Sequence, residues 1–403
     1  MESAAAAGDT AGTVLNTPLS TTQVAALEAV AGPFESARTP PGWLFTDPAV
    51  LDLEAASLFL NDWVIAGHVS QLGSAGACLC VDTVSLHAIV VRGDDDVIRA
   101  FHNSCRHRGT RLVETSGKLG PLIRCPYHAW AYSLAGALTA IPKREATAKV
   151  DVATLGLVPL RVAVWNGFVF VCAGEPGSLD ERLADFPDLS YLALDRLCLV
   201  AERHYRVACN WKLVIENYNE CYHCAIAHPA LHRLSRDVGF DGYRHRGRHF
   251  TGGPMSLEPG VATLAEPATR IEPGLTGWRD ADRRMVFYFS VFPNLLLTIA
   301  PDYALVHYVF PASVDRCTVT TQWLVSPAQA ARADCDIDPA LGFWDRTNHE
   351  DFALCETAQR GLAASGQLPG PYHGWENCVH DFDRWLVQRV FSSLLSASAG
   401  TSP

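Results

Sequence analysis

The sequence lacks several features that would place it in common classes of protein. No run of about 18 apolar residues occurs, so we expect no transmembrane helix. The N-terminus is small and polar and shows no charged segment followed by an apolar one, so no secretory signal is predicted. Blocks of Lys and Arg are missing, and 43 acidic against 32 basic residues give a formal net charge of -11. We therefore expect a cytoplasmic protein that binds neither nucleic acid nor membranes.

Cysteine, in contrast, is abundant, with 13 residues scattered along the chain. In a reducing compartment we expect these side chains to be thiols or metal ligands rather than disulfides. The chain has 403 residues, of which 48% are hydrophobic. That composition provides core material for two or three domains, and no internal repeat is present.

The pattern of hydrophobic and turn residues predicts four regions. Residues 1–35 are rich in Ala, Thr, Ser and Gly and are predicted to be a flexible tail, with at most one short helix around residues 21–30. Residues 36–62 contain a helix that should pack on the last region. Residues 63–175 have many short β-type runs, as in a small β-sandwich. Residues 176–403 mix strands with helices, including one helix over LVIENYNECYHCAIAHPAL, so the predicted class is α+β.

A first group of candidate metal ligands lies in the β-rich region. Cys105 and His107 are followed, after a gap of seventeen residues, by Cys125 and His128. Two such loops facing each other can hold a [2Fe–2S] cluster, with both thiolates on one iron and both imidazoles on the other. Neutral imidazoles raise the reduction potential of the cluster, which suits a relay of electrons.

Two Cys and two His would also satisfy a tetrahedral zinc ion, so a structural zinc site is the alternative. The short Cys-x-His spacing of the first half disfavours zinc, because such zinc sites usually pair Cys with Cys and His with His. The position within a run of strands also favours the cluster.

A second group of candidate ligands lies in the α+β region. His223 and His228 are five residues apart, and a straight helix would separate them by roughly 140° around its axis. The helix must therefore be distorted or broken if both are to bind one ion. Two His and one carboxylate form the facial triad of non-haem Fe(II) oxygenases. Asp351 is the preferred carboxylate, and Asp345, six residues earlier on another face of the same helix, is the alternative.

Both groups together resemble the α-subunits of Rieske non-haem iron oxygenases, the aromatic-ring-hydroxylating family. The similarity begins at about residue 37 and is carried by CRHRG, CPYHAWAYSLAG, NWKLVIENYNECYHCAIAHP and EDFALCETAQ. It implies a [2Fe–2S] cluster and a mononuclear Fe(II) as cofactors. It also implies a β-sandwich Rieske domain before a catalytic domain of helices on an antiparallel sheet, and it places the third iron ligand on Asp351.

In this family the carboxylate three residues before the first iron histidine bridges to a cluster histidine of the neighbouring subunit in a homotrimer. Carried over, Glu220 is that bridge and His128 its partner, so electrons would cross between subunits. Most aromatic-ring enzymes have Asp at this position. Glu within ENYNECYHC resembles the branch that oxidises quaternary ammonium compounds, which includes glycine betaine and carnitine monooxygenases and stachydrine demethylase.

The resemblance implies an oxygenase that hydroxylates a quaternary or methylated amine, with N-demethylation or C–N cleavage. The alternative within the family is a ring-hydroxylating dioxygenase of an aromatic compound, and the alternative from another class is an electron carrier or zinc-stabilised binding protein. No Gly-rich dinucleotide motif or flavin motif is present, so we expect a separate NAD(P)H-dependent reductase. Asn210 and Asn217 near the metal helix either orient ligands or cap the helix.

Aromatic residues give this substrate class loose support, since their rings could attract a trimethylammonium group. Aromatic residues on strands are also ordinary core residues, and an aromatic substrate would favour the same rings. The candidates are Trp278, Phe287, Phe289, Tyr303, Tyr308 and Trp323.

Overall fold

The computed structural model describes residues 19–146, 151–235, 245–279 and 282–399. About half of the predicted flexible tail, residues 1–18, lies outside these ranges. Every strand pair in the described residues is antiparallel. The architecture is a β-rich region followed by a sheet covered by helices, as the α+β prediction requires.

The N-terminal helices pack on the rest of the molecule. They are α1 (Thr21–Ala31), α2 (Trp43–Thr46) and α3 (Pro48–Glu54), which continues in wider π-helical turns over Ala55–Leu60. Ser20 and Gln23 form a capping box at the start of α1, and Leu27 and Val30 are fully buried. The short helix suggested around residues 21–30 is therefore present as α1, but it is not part of a flexible tail, because its two buried apolar side chains pack it against the C-terminal helix.

The β-rich region contains a seven-stranded sheet in the order β1-β10-β9-β4-β3-β2-β5 and a three-stranded sheet, β6-β7-β8. Its apolar strands, such as FVFVC of β10, are buried along their whole length because both faces are covered. The strands are β1 (Val64–His68), β2 (Ala77–Asp82), β3 (His87–Arg92), β4 (Ile98–His102), β5 (Gly117–Lys118), β6 (Leu122–Arg124), β7 (Ala131–Ser133), β8 (Leu138–Ala140), β9 (Pro159–Trp165) and β10 (Phe168–Cys172).

The second region is built on a seven-stranded sheet in the order β11-β17-β16-β15-β14-β13-β12. One face of this sheet packs against the β-rich region, where Phe287 and Phe289 share a core with Phe168. The opposite face, which includes Tyr288, packs under the helices. The strands are β11 (Cys198–Val207), β12 (His245–Arg246), β13 (Phe250–Ser256), β14 (Met285–Val291), β15 (Leu295–Ile299), β16 (Ala304–Ser313) and β17 (Arg316–Val325).

The helices of this region differ in extent from the predicted ones. The chain predicted as one helix over LVIENYNECYHCAIAHPAL forms three short helices, α5 to α7, since Asn219 ends the first and Pro229 begins the third. Strand β11 ends at Val207, and Asn210 is the N-cap of α5. The helices are α4 (Leu179–Arg182), α5 (Trp211–Tyr218), α6 (Cys224–Ala227), α7 (Pro229–Leu234), α8 (Pro327–Ala330), α9 (Asp338–Leu362) and α10 (Asn377–Ala399).

Cysteine chemistry differs from the prediction at one point. Cys221 and Cys224 form a disulfide, whereas we expected thiols or metal ligands throughout. The turn between α5 and α6 brings their Cα atoms to 4.9 Å, which is within the range of a disulfide.

None of the helices in the described ranges is long and apolar enough to cross a membrane.

Candidate metal centres

Three side chains of the helical layer converge on one point. His228 Nε2 lies 2.8 Å from Asp351 Oδ1, and His223 Nε2 lies 3.2 Å from both of these atoms. His228 is buried, while His223 and Asp351 are partly exposed. Two imidazole nitrogens and one carboxylate oxygen at such separations are the donor set of a facial-triad iron site.

The break in the helical segment makes this convergence possible. His223 immediately precedes the single turn of α6, and His228 ends it. Pro229 then starts α7. Proline is favoured at the first position of a helix, because it has no backbone N–H and that position would leave an N–H without an acceptor in the helix. The helix is therefore broken as predicted, in the turn before His223 and at His228 itself.

Each histidine is oriented by a second carboxylate. His223 Nδ1 hydrogen-bonds with Glu220 Oε1, and His228 Nδ1 with Glu350 Oε2 at 2.7 Å. When Nδ1–H donates to a carboxylate, the lone pair on Nε2 is left for a metal ion. Glu350 was missed from the sequence, although it is next to Asp351 in the chain.

The electrostatics of the site favour positive charge. Burial alone would lower the pKa of His223, but its hydrogen bonds with Asp351 and Glu220 outweigh burial and raise that pKa to about 10. The same balance raises the pKa of His228. A site that stabilises protonated histidines next to a carboxylate is equally suited to a divalent cation, so the residues fit an iron ion.

The other candidate carboxylate lies elsewhere. Asp345 Oδ1 accepts a hydrogen bond from Tyr205 Oη at 2.6 Å, and the Asp345 side chain is 40% exposed. Of the two carboxylates considered, the structure brings only Asp351 to the histidine pair.

The four candidate cluster ligands lie at the tips of two neighbouring loops. Cys105 and Cys125 are buried and within hydrogen-bonding reach of each other, while His107 and His128 are exposed with ring centroids 4.8 Å apart. A pair of buried thiols beside a pair of exposed imidazoles fits the two-Cys, two-His ligand set of a Rieske [2Fe–2S] cluster.

The two loops repeat the same backbone design. Cys105 N donates to Thr110 O and Cys125 N to Trp130 O, both at 2.8 Å. Four residues after each cysteine the chain turns through a left-handed residue, Gly109 with φ of 71° and Ala129 with φ of 57°.

Side chains around the loops fix the ligands. Arg106 N donates to Tyr132 Oη at 3.0 Å, so the Tyr132 hydroxyl can donate to Cys105 Sγ, 3.2 Å away. His107 stacks on Trp130 with ring centroids 4.8 Å apart, and His128 stacks on the exposed Tyr127 at 3.8 Å.

A cavity of about 50 Å³ adjoins the three-residue group. Its aromatic lining comes from Tyr218, Tyr288 and Trp344. Asn217 also lines it, whereas the side chain of Asn210 caps α5 by accepting from Lys212 N at 3.1 Å.

The six aromatic residues suggested from the sequence are core residues. Phe287, Phe289 and Tyr308 lie in the core between the sheet and the β-rich region, and Trp278 packs against that core. Tyr303 and Trp323 are fully buried in the core under the helices. The rings at the cavity were missed, although Tyr288 alternates in the sequence with two inward-facing Phe residues and so points to the opposite face.

Comparison with known proteins agrees with this geometry. Residues 62–156 match the Rieske [2Fe-2S] domain, and residues 194–392 match the ring hydroxylating alpha subunit (catalytic domain). The glycine betaine monooxygenase oxygenase subunit of Chromohalobacter salexigens is 33% identical over 394 residues, which cover 88% of this chain and 86% of that protein. The chain belongs to the Rieske ring-hydroxylating oxygenase family.

Other members of the family extend the comparison. The carnitine monooxygenase oxygenase subunit of Escherichia coli K12 is 31% identical over 340 residues, which cover 82% of this chain and 86% of that protein. A solved quaternary ammonium Rieske monooxygenase, studied for carnitine oxidation and inter-subunit electron transfer, superposes with a TM-score of 0.78 at 25% identity, covering 90% of this chain and 98% of that one. The predicted family and its two cofactors, a [2Fe–2S] cluster and mononuclear iron, are confirmed.

Proposed function

We propose that this Rieske oxygenase is the oxygenase component that hydroxylates a quaternary or methylated amine, using O₂ and electrons that a separate NAD(P)H-dependent reductase delivers. For an N-methyl group the product is a hemiaminal that releases formaldehyde. The relatives named for glycine betaine and carnitine support this substrate class.

The geometry of the two sites supports the proposed ligands. Cys105, His107, Cys125 and His128 would hold the cluster, and His223, His228 and Asp351 the iron. When bound, the cluster supplies electrons and the iron supplies the site of O₂ activation. Glu220 and Glu350 would hold the two imidazoles in the orientation that presents Nε2.

The observation that supports the substrate class best is the composition of the cavity beside Asp351. Tyr218 and Tyr288 meet edge to face, with ring centroids 6.1 Å apart, and Trp344 lies two helical turns before Asp351 on α9. Aromatic faces attract a trimethylammonium group by about 0.5–2 kcal/mol each. The carboxylates at the site add a favourable negative potential for a cation.

Glu220 would carry electrons between subunits of a homotrimer. Within one chain it already contacts His223, and its side chain is only 13% exposed. His128 lies on the surface of the β-rich region, where a neighbouring subunit can reach it. The solved relative described for inter-subunit electron transfer supports this arrangement.

The test is a substrate screen with a generic reductase, in which oxygen uptake and formaldehyde are measured together. With at least one betaine or methylated amine, we expect oxygen uptake accompanied in proportion by formaldehyde for N-demethylation or by the released amine for C–N cleavage. Oxygen and NADH consumption with an aromatic acid, and no formaldehyde with any methylated amine, would favour aromatic ring hydroxylation instead.

A further inference from the structure

Two carboxyl groups face each other in the interior close to the iron site. Glu216 of α5 and Asp383 of α10 lie within hydrogen-bonding reach of one another. One oxygen of each, Glu216 Oε1 and Asp383 Oδ1, is buried and has no hydrogen-bond donor among the described residues. Two ionised carboxylates are acceptors only, so this contact is favourable only if the pair shares a proton.

The surrounding charges do not neutralise the pair. Lys212 acts on both carboxyl groups, but its ammonium group donates to Glu54 Oε1 at 2.6 Å, and the Lys212 and Glu54 side chains are buried. Glu376 adds another negative charge nearby, while the Tyr372 hydroxyl donates to Asp383 Oδ2 at 2.7 Å. One ammonium group therefore stands among several carboxyl groups.

The pKa values follow from this environment. Burial raises the pKa of Asp383 to about 7, although its hydrogen bonds and Lys212 act in the opposite direction. Burial and the negative charge of Asp383 raise the pKa of Glu216 well above its ordinary range. The pair thus retains a proton near neutral pH.

A cavity joins the pair to the iron site. Its volume is about 280 Å³, and its lining includes Glu216, Asp383 and Tyr372 together with Glu220 and the proposed iron ligand His223. A water molecule occupies about 30 Å³ in the liquid, and polar cavities of this kind are normally hydrated. The half-buried Glu376 also lines the cavity and offers a route for protons from solvent.

The proposed reaction requires protons at this place. Hydroxylation of a C–H bond by O₂ consumes two electrons, which the reductase supplies, and two protons, and it yields one hydroxylated product and one water. We propose that Glu216 and Asp383 form a proton-holding pair that supplies a proton, through the water of this cavity, to the oxygen chemistry at the iron site. The inference rests on the proposed oxygenase function. In it, the pair holds and delivers a proton and does not contact the substrate.

A purely structural role explains the pair less well. A Glu or Asp side chain paired with an amide would join α5 to α10 equally well and would leave no two acceptors facing each other. The amide variants Glu216→Gln and Asp383→Asn keep the size of the side chain and remove the proton, so they separate the two roles.

The experiment starts from wild-type enzyme that turns over, so a failure here is separate from a failure of the proposed function. We expect both variants to keep cluster and iron but to lose about tenfold or more in kcat at about pH 8, with KM for the amine changed less than twofold. Their kcat should recover as the pH is lowered, because solvent then supplies the proton. Glu216→Asp should restore much of the wild-type pH profile. Asp345→Asn, a matched change on α9 outside the cavity, should behave like wild type.

Infrared spectroscopy provides a readout that does not depend on turnover. Wild-type protein should show the carbonyl band of a buried protonated carboxyl group near neutral pH, and Glu216→Gln and Asp383→Asn should each alter or remove it. The proposal is overturned if wild-type protein shows no such band. It is equally overturned if both variants keep the wild-type kcat and pH profile.

Discussion

At the scale of single residues, the position of one carboxylate oxygen separates Asp351 from the other acidic residues of α9. Its Oδ1 atom lies within 3.2 Å of both histidine Nε2 atoms, whereas Asp345 is tied to Tyr205. From the sequence, Asp351 could be preferred over Asp345 as the third ligand, but the choice could not be decided. The six-residue separation places the two carboxylates on different faces of the helix and does not say which face meets the histidines.

The first prediction concerns Asp351→Asn. The variant should lose the mononuclear iron, since an amide is a much weaker ligand than a carboxylate, and should keep the cluster. Iron should fall from about three to about two atoms per chain, while acid-labile sulfide stays constant. Asp345→Asn is the control and should retain all the iron. Full iron content in Asp351→Asn would exclude Asp351 as a ligand.

The second prediction concerns stability and Asp383. Its pKa is raised from 3.8 to about 7 in the folded state, so the folded protein binds more protons than the unfolded chain between these values. The contribution of this group to the free energy of unfolding is therefore present below about pH 4 and is lost as the pH rises to about 7. The difference in unfolding free energy between Asp383→Asn and wild type, from denaturant titrations, should shift in favour of the variant over that interval. A constant difference would show that Asp383 titrates normally.

At the scale of secondary-structure elements, the sequence predicted a mixture of strands and helices after residue 176 and a break in the helix that carries the two histidines. It did not predict that the segment would divide into three short helices, because Asn219 and the disulfide turn act through local geometry that hydrophobic periodicity does not report. It also missed that α1 is packed. That packing depends on α10, more than 340 residues away in the chain.

The third prediction tests how the N-terminal helices are attached to the catalytic domain. Lys212 of α5 and Glu54 of α3 form an ion pair in which the side chains are 1% and 0% exposed. Lys212→Met should cost about 3–5 kcal/mol of unfolding free energy, because it leaves the buried Glu54 carboxylate without its cation, with the Trp211 indole N–H still donating to it. Equilibrium urea unfolding measures this loss. The double variant Lys212→Met with Glu54→Leu should recover much of it, and an equal loss in both would contradict the ion-pair account.

At the scale of the whole molecule, the two metal sites belong to different regions, and the sheet that joins them is packed on both faces. The four candidate cluster ligands and the two candidate iron histidines could be proposed from the sequence because the spacing within each group is short and specific. The cavity could not, because Tyr218, Tyr288 and Trp344 come from three separate elements that only the folded sheet brings together.

The fourth prediction concerns the route of electrons between subunits. Glu220→Gln should keep both cofactors and lose most of its turnover, because the amide replaces the carboxylate proposed to link His223 to His128 of a neighbouring subunit. Oxygen uptake and metal analysis on the same preparation measure both quantities. A fully active variant would show that Glu220 only orients His223.

The most direct test of the account is a single turnover without any reductase. Purified protein with reduced cluster and ferrous iron is mixed with O₂ and a methylated amine, and cluster oxidation and formaldehyde are measured together. We predict that the amine accelerates oxidation of the cluster. We also predict that formaldehyde forms in an amount close to that of the mononuclear iron. Cluster oxidation that is unaffected by every methylated amine tested, with no formaldehyde formed, would contradict the proposed function.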